Sequence, residues 1–390
     1  MSPAYRLCFV AGDPSGDTHA ARLITALKAR DPSLMFSGLG GPAMQRAGMT
    51  LLENLTEAAA IGPFDAAKHL GRFVRAKQLL DAHLVSQRPD LVILVDFGDY
   101  NLPVIAPLVH RHRIPMLYYI SPQVWAWGRW RLRAIRRYVS RVLVLFPFEE
   151  RFYQRAGIPV TWVGHPLLDD AQPTLSREAA LERFGLNPWR MTVGLLPGSR
   201  EAEVRRHWPL MLEVARRIAW RMPGVQFLVP RAPSVSAKAL TIPAEPQRAD
   251  VRIAEGSVYD ALQLMDAAVI ASGTATLEAA LMQVPMVVVY RTSWPTYFAA
   301  RAVVRIPHIA IVNVVAQRQV VPEFVQSQAT PEAVSRALIE LLRDEQRREA
   351  MKTALREVTA QLGPPGAVER AVDAVLVTLE KAKRSGVLMW

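Results

Sequence analysis

Short apolar runs alternate with longer amphipathic stretches along the whole chain, and this alternation constrains the fold more than any other feature. A strand buried on both faces reads as an unbroken apolar run, and two parallel strands need a crossover helix between them. A chain written this way predicts an α/β protein with parallel sheets. In the first half the runs Arg6–Ala11, Met35–Leu39, Leu91–Val95, Met116–Ile120, Arg141–Leu145 and Val160–Val163 predict strands, with helices between them such as Thr18–Arg30 and Ala66–Gln87. The second half repeats the pattern at Thr192–Leu196, Gln226–Val229, Val251–Ala254, Ala267–Ala271 and Met286–Tyr290.

Between the halves lies GHPLLDDAQPTLSRE (Gly164–Glu178), rich in turn formers. After Thr330 the chain reads as helices only, broken at Gly363–Gly366. The expected fold class is therefore α/β: two Rossmann-like, doubly wound domains, 1–168 and 169–344, facing across a cleft. A helical C-terminal segment, 345–390, is expected to pack back on the N-terminal domain or on a partner subunit. At about 100–200 residues per domain, 390 residues suit two or three domains. Ligands of doubly wound sheets bind outside the carboxyl ends of the strands, so the informative residues should follow strands.

The single cysteine, Cys8, excludes an intramolecular disulfide and, set in the run LCFVA, reads as a small buried hydrophobe. That usage fits a reducing cytoplasm. The start MSPAYRLCFVAG lacks the charge and apolar stretch of a signal peptide, and no run approaches the ~20 apolar residues of a membrane span. The formal net charge is +12, and between Tyr100 and Phe148 there is no Asp or Glu. That stretch carries Arg111, Arg113, Arg129, Arg131, Arg133, Arg136, Arg137 and Arg141. Such a patch attracts phosphates or an anionic membrane surface, although solvated helix faces would read the same way. Nucleic acid ranks below these, because the chain has no zinc-finger spacing, no aromatic RNA-binding signature and no repeat.

Four places carry chemistry. The loop AGDPSGD (Ala11–Asp17) follows the first strand; Gly12 and Gly16 permit a tight turn, and Ser15 or Asp17 can cap the next helix. Ser15, Gly16 and Asp17 are candidates to hold a sugar or a phosphate, against the plainer reading of an ordinary strand-to-helix turn. GLGG (Gly38–Gly41) lacks the full spacing of a dinucleotide fingerprint. The strand end VDFGDYN (Val95–Asn101) places Asp96 after an apolar run, where partial desolvation raises a carboxyl pKa and suits a general base. Asp99 and Asn101 read there as loop and helix-cap residues.

The third place is SPQVWAWGRWRLRAIRRY (Ser121–Tyr138), with three tryptophans and five arginines. Trp125, Trp127 and the arginines favour a phosphate-bearing, partly apolar ligand, or else tryptophans packed under a loop. The fourth is a pair of loops in the second half. In LLPGSREAEV, Gly198 and Ser199 expose amides at a helix start and Arg200 adds a cation, which suits a diphosphate. In ASGTATLEAAL, Ser272, Gly273 and Thr274 open a helix, and Glu278 one turn in can accept both ribose hydroxyls of a nucleotide. Two such loops on one sheet suggest a nucleotide sugar. No Asp-x-Asp, His-x-x-x-His or cysteine cluster is present, so neither a metal nor another cofactor is expected.

Together with LFPFEERFY (Leu145–Tyr153), VGHPLLD (Val163–Asp169) and NVVAQRQVVPEFVQ (Asn313–Gln326), these motifs resemble the lipid-A-disaccharide synthase family, in the family's order from residue 11 to residue 326. The resemblance implies a GT-B glycosyltransferase fold and a metal-independent, inverting transfer. The implied donor is UDP-2,3-diacylglucosamine, and the acceptor is 2,3-diacylglucosamine 1-phosphate, reacting through its 6-hydroxyl to give the β-1,6 lipid A disaccharide and UDP. Asp96 matches the presumed base, and Arg200, Ser272, Thr274, Glu278 and Asn313 fall where UDP is held. The family works at the inner face of the cytoplasmic membrane and tends to dimerise through its C-terminal part.

The chain departs from the family in reading GDPSGD for GEASGD, Gly98 for a proline, and IGPFDAAKHLGRF (Ile61–Phe73) for a Met-Gly-x-x-Glu-Val stretch that helps seat the acyl chains. Rival readings are a UDP-GlcNAc 2-epimerase, a peptidoglycan glucosaminyltransferase and a non-catalytic UDP-sugar-binding protein.

Overall fold

The computed structural model describes residues 5–56, 66–242, 249–303 and 306–384. The first part of the Ile61–Phe73 stretch, residues 61–65, lies outside them. The chain forms two compact units, one of Met1–Asp169 with Pro364–Trp390 and the other of Asp170–Gly363.

The first unit holds a 7-stranded parallel sheet in the order β3-β2-β1-β4-β5-β6-β7. Its strands are β1 Arg6–Ala11, β2 Met35–Gly40, β3 Thr50–Asn54, β4 Leu91–Val95, β5 Met116–Tyr119, β6 Arg141–Val144 and β7 Val160–Trp162. The second unit holds a 6-stranded parallel sheet in the order β10-β9-β8-β11-β12-β13. Its strands are β8 Thr192–Leu196, β9 Gln226–Pro230, β10 Asp250–Ala254, β11 Ala267–Ala271, β12 Met286–Tyr290 and β13 Glu323–Val325. Central strands are apolar almost throughout because helices cover both faces: all five residues of β4, β8 and β11 are buried, with Thr192 at the start of β8 the one polar side chain among them. Cys8 lies inside this core, fully buried, and burial pushes its thiol up to about 12.

Each sheet winds outward from its first strand and then returns to that strand's other side. The reversals fall between β1 and β4 in the first unit (Leu7 beside Leu91) and between β8 and β11 in the second (Val193 beside Ala267). At such a point the connections leave on opposite faces, so the carboxyl ends of two adjacent strands open a crevice.

The C-terminal segment is divided between the units. The helices Pro331–Arg343 and Glu345–Ala360 stay in the second, and the first takes only the chain from Pro364 onward. Helix Ala367–Arg384 packs on helix Pro14–Arg30, with Arg30 reaching Glu369 (3.3 Å) and Asp373 (3.2 Å). Among the described residues no helix is long and apolar enough to cross a membrane.

Candidate functional site

At the β1/β4 reversal the expected cap of helix Pro14–Arg30 is replaced. Asp13, rather than Ser15 or Asp17, holds the N-terminus by accepting from the Gly16 amide (2.9 Å). Ser15 stays exposed and Gly16 is buried. Asp17 is turned inward: its buried carboxylate accepts from the amides of Gly41 (3.0 Å), Ala43 (2.9 Å) and Met44 (3.0 Å). These open helix Pro42–Arg46, so Asp17 is the anion at that helix's start, and its oxygens are already engaged within the protein. This also gives GLGG its role, since the Gly41 amide receives Asp17.

β4 ends in a strained turn. Asp96 and Phe97 both hold left-handed backbone, φ 42° and 47°. The Asp96 amide donates to the carbonyls of Tyr119 (3.3 Å) and Ile120 (3.2 Å), and the Asp96 carbonyl accepts from Tyr118 Oη (2.6 Å) and Asn101 Nδ2 (2.9 Å). Asn101 caps the short helix Gly98–Tyr100 through its backbone amide, which donates to the Gly98 carbonyl, and its buried side chain also braces the Asp96 backbone. Burial and the Asp96 charge together push the Tyr118 phenol well above its ordinary value. The chain leaves this turn through a π-helical turn, Asn101–Ile105, a geometry that recurs at functional sites. Gly98 fits because a Cβ there would come within 2.6 Å of Pro122 Cβ.

The loop after β5 is fixed from the far side. Tyr153 Oη donates to Ser121 Oγ (2.8 Å), and Trp125 Nε1 donates to Glu149 Oε1 (2.9 Å) while its ring meets Phe148 edge-on at 4.9 Å. Trp125 thus keeps one end buried and remains half-exposed. The expected arginine patch is partly internal. Arg131 lies 4.0 Å over the Trp127 ring and pairs with Asp99, which leaves its side chain 13% exposed. Arg129, Arg133, Arg136 and Arg137 are exposed; Arg136 reaches the Ala156 carbonyl, and Arg137 lies 5.5 Å from the Tyr138 ring.

At the β8/β11 reversal the chain turns at Gly198 (φ 121°), passes Ser199 and enters helix Glu201–Arg221 with Arg200 at its N-cap. The Arg200 side chain is 65% exposed, 3.1 Å from Glu203. The buried His207 braces this loop: its Nδ1–H donates to the Pro197 carbonyl (3.1 Å) and its Nε2 accepts from the Arg291 amide (2.9 Å). Burial lowers its pKa, which matches this neutral tautomer.

Ser272 Oγ donates to the Ile309 carbonyl (2.8 Å), whereas Gly273 has open space about it and Thr274 is exposed at the start of helix Ala275–Leu281. Glu278 is half-buried; burial raises its carboxyl pKa, and a hydrogen bond from Tyr259 opposes the rise.

Asn313 departs from its expected role as a nucleotide contact. It is fully buried, donating to the Val321 carbonyl (2.9 Å) and Glu323 Oε1 (2.7 Å) and accepting from the amides of Val320 (2.7 Å) and Val321 (3.0 Å). Those bonds exhaust the amide's capacity inside the protein. Glu323 in turn accepts from the amides of Ile309 (3.1 Å) and Ala310 (3.0 Å), so Asn313 and Glu323 shape the segment that Ser272 touches.

Sequence reasoning passed over His207, Glu149 and Glu323. Only Glu149 left a local signal, an acid at the third helical position after Phe146-Pro147. Among the described residues no group of three or more His, Cys, Asp or Glu is placed to hold a metal.

A family profile described as lipid-A-disaccharide synthetase matches residues 7–374. The lipid-A-disaccharide synthase of Geobacter sulfurreducens is 42% identical over 378 residues, covering 97% of this chain and 98% of that one. That of Myxococcus xanthus is 39% identical over 379 residues, covering 97% and 99%. Among solved structures the fold is similar to a Staphylococcus aureus MnaA–UDP co-structure (TM-score 0.63, 13% identity, 97% of each chain). It is also similar to the calicheamicin glycosyltransferase CalG4 (TM-score 0.60, 15% identity, 97% of this chain and 99% of that one). At these identities the structural likeness speaks for the fold alone.

Proposed function

Given that the chain belongs to the lipid-A-disaccharide synthetase family, and is accordingly a glycosyltransferase, we propose that it transfers 2,3-diacylglucosamine from UDP to the 6-hydroxyl of 2,3-diacylglucosamine 1-phosphate with inversion. The observation that carries this reading is the placing of candidate residues at the two sheet reversals: Asp96 follows β4, and the Gly198–Arg200 and Ser272–Glu278 segments follow β8 and β11.

The Asp96 carboxylate takes the proton of the acceptor hydroxyl as that oxygen attacks the anomeric carbon of the donor. The bond from that carbon to the diphosphate breaks, and UDP leaves with the electron pair. The charge on the departing diphosphate is met by the Gly198 and Ser199 amides at the start of helix Glu201–Arg221 and by the exposed Arg200 guanidinium. Glu278 takes the ribose hydroxyls, and Ser272, Gly273 and Thr274 frame the nucleotide. On the first unit, Ser15, Gly16 and Trp125 border the acceptor, while Arg129, Arg133, Arg136 and Arg137 meet its phosphate or the anionic inner face of the cytoplasmic membrane.

The test is mass spectrometry of products from UDP-diacylglucosamine with and without the lipid monosaccharide phosphate. A disaccharide phosphate and stoichiometric UDP, both dependent on the acceptor, are expected. UDP release or sugar epimerisation without acceptor would refute the transfer.

A further inference from the structure

Glu149 is a buried carboxylate that the proposed transfer leaves unused. Its Oε2 accepts from the amides of Leu145 (3.2 Å) and Phe146 (3.1 Å), contacts that a glutamate at the third position of helix Pro147–Arg155 makes locally. Its Oε1 does something that capping does not need: it accepts the indole N–H of Trp125, 24 residues back along the chain. The loop that carries Trp125 is built against the turn of Asp96. The Asp96 amide bonds to Tyr119 and Ile120 at the loop's entrance, and Pro122 fills the space over Gly98. One carboxylate therefore couples the β6 helix entry to the loop bordering the Asp96 turn.

We propose that Glu149 is a positioning residue for the acceptor: by holding the Trp125 N–H together with the two amides of its own helix entry, it sets the half-exposed indole against which the acceptor sugar docks. The inference rests on the reading that the Trp125 loop and the Asp96 turn receive the acceptor.

The arrangement has a built-in dependence on protonation. An ionised carboxylate accepts strongly from all three N–H groups, whereas a protonated one turns one oxygen into a hydroxyl, a poorer acceptor, and weakens the bond made there. Burial pushes the Glu149 carboxyl up to about 7, despite the three hydrogen bonds that favour its charged form. The indole is therefore held above about pH 7 and loosened below it. The surrounding titratable groups do not compete in this range. Burial raises the Tyr153 phenol far above neutrality, and burial lowers His165, whose ring packs on Phe146 at 5.4 Å, to about 3, so that it is neutral throughout this range. Arg141 on β6 donates to Thr161, Arg129 lies 5.8 Å from the Phe152 ring, and neither β7 nor the Ser121–Gly128 loop carries a titratable side chain.

The test measures acceptor and donor kinetics separately on the full chain. Glu149→Gln keeps the shape but replaces one acceptor oxygen with a donor. Its acceptor KM should rise about tenfold, the loss of one buried hydrogen bond, with donor KM unchanged. The wild-type acceptor KM should climb as pH falls below about 7, and that dependence should be flat in Glu149→Gln. Trp125→Phe, which deletes only the N–H and part of the ring, should raise acceptor KM similarly, with little further loss when combined with Glu149→Gln.

A normal acceptor KM in Glu149→Gln, with Trp125→Ala impaired, overturns the positioning role and leaves the acceptor site standing. A normal acceptor KM in Trp125→Ala overturns the acceptor reading and the inference with it. Should Glu149→Gln fail to fold, an acceptor KM in the wild type that stays constant from about pH 6 to about 8 overturns the proposal.

Discussion

The amide of Asp96 donates to the carbonyl of Ile120 at 3.2 Å, and both residues hold left-handed backbone, at φ 42° and 56°. For a β-branched residue this conformation is an outlier, and strained positions of this kind cost on the order of 1–3 kcal/mol each. They persist because the surroundings over-determine them: Tyr118 and Asn101 clamp the Asp96 carbonyl, and the Ile120 amide donates to Leu143 (3.1 Å). Strain of this order held in two adjoining loops is a mark of functional sites.

Asp96→Asn should fold as the wild type does, because Asn tolerates left-handed backbone as well as Asp does. Loss of the base should lower kcat by about 10²–10⁴-fold, and steady-state kinetics beside a thermal melt will check both. A kcat near wild type would sink the assignment.

Glu278→Ala should weaken UDP binding by about 1.5–3 kcal/mol, the worth of a hydrogen bond to a charged group, and Glu278→Gln by less. Titration calorimetry reads this directly. Unchanged UDP affinity would reduce Glu278 to a helix residue.

Asn313→Ala should act on stability first. It strands the two carbonyl and carboxylate acceptors and the two amides now bonded to the side chain, so a loss of about 2–4 kcal/mol in urea unfolding is expected. Asn313→Asp should be worse, since it places a second carboxylate against Glu323. Normal stability with lost UDP affinity would restore a direct nucleotide contact.

Burial holds His19 at about 4 and His165 at about 3, while an unfolded histidine titrates near 6.5. The native state stays neutral where the unfolded state gains protons, so their contribution is complete above about pH 6.5, declines as pH falls below that, and is fully lost once pH has fallen through about 4 for His19 and about 3 for His165. His165→Gln can still accept the Leu167 amide that His165 Nδ1 accepts at 3.2 Å. It should make the acid limb of stability against pH shallower by up to one proton, measured by urea unfolding from about pH 7 to about 4. An unaltered slope would contradict the neutral, buried His165.

Arg133→Glu with Arg137→Glu, both on the exposed face, should reduce binding to anionic vesicles, since each cation near such a surface contributes about 1 kcal/mol and salt screens it. UDP affinity should not change. Arg131→Glu should instead destabilise the fold, because that guanidinium packs on Trp127 and pairs with Asp99. Equal vesicle binding by the double variant and wild type at low salt would make these arginines a solvated face.

The sequence by itself determined the two αβ halves and the strand ends that matter. The strands β1, β4, β8, β11 and β12 have the limits read from their apolar runs, because a strand covered on both faces is apolar along its interior, and the polar Arg6 and Thr192 stand only at the entry ends of β1 and β8. Asp96 and Ser272 follow two of those runs directly, so their place at the carboxyl ends was legible from order alone. The edge strands TLLEN (β3) and EFV (β13) were not legible, since each is short, only partly buried and carries a glutamate. Only the tertiary structure decided which polar residues remain available to a ligand. Asp17 and Asn313 stand in motifs that read as binding loops, yet each spends its hydrogen bonds on backbone or side-chain groups within the fold. Glu149 and His207, which gave little or no sign of a role, brace the loops beside Asp96 and Arg200. Burial leaves its trace in local periodicity, but a hydrogen-bond partner tens of residues away is chosen by which strands come to lie side by side.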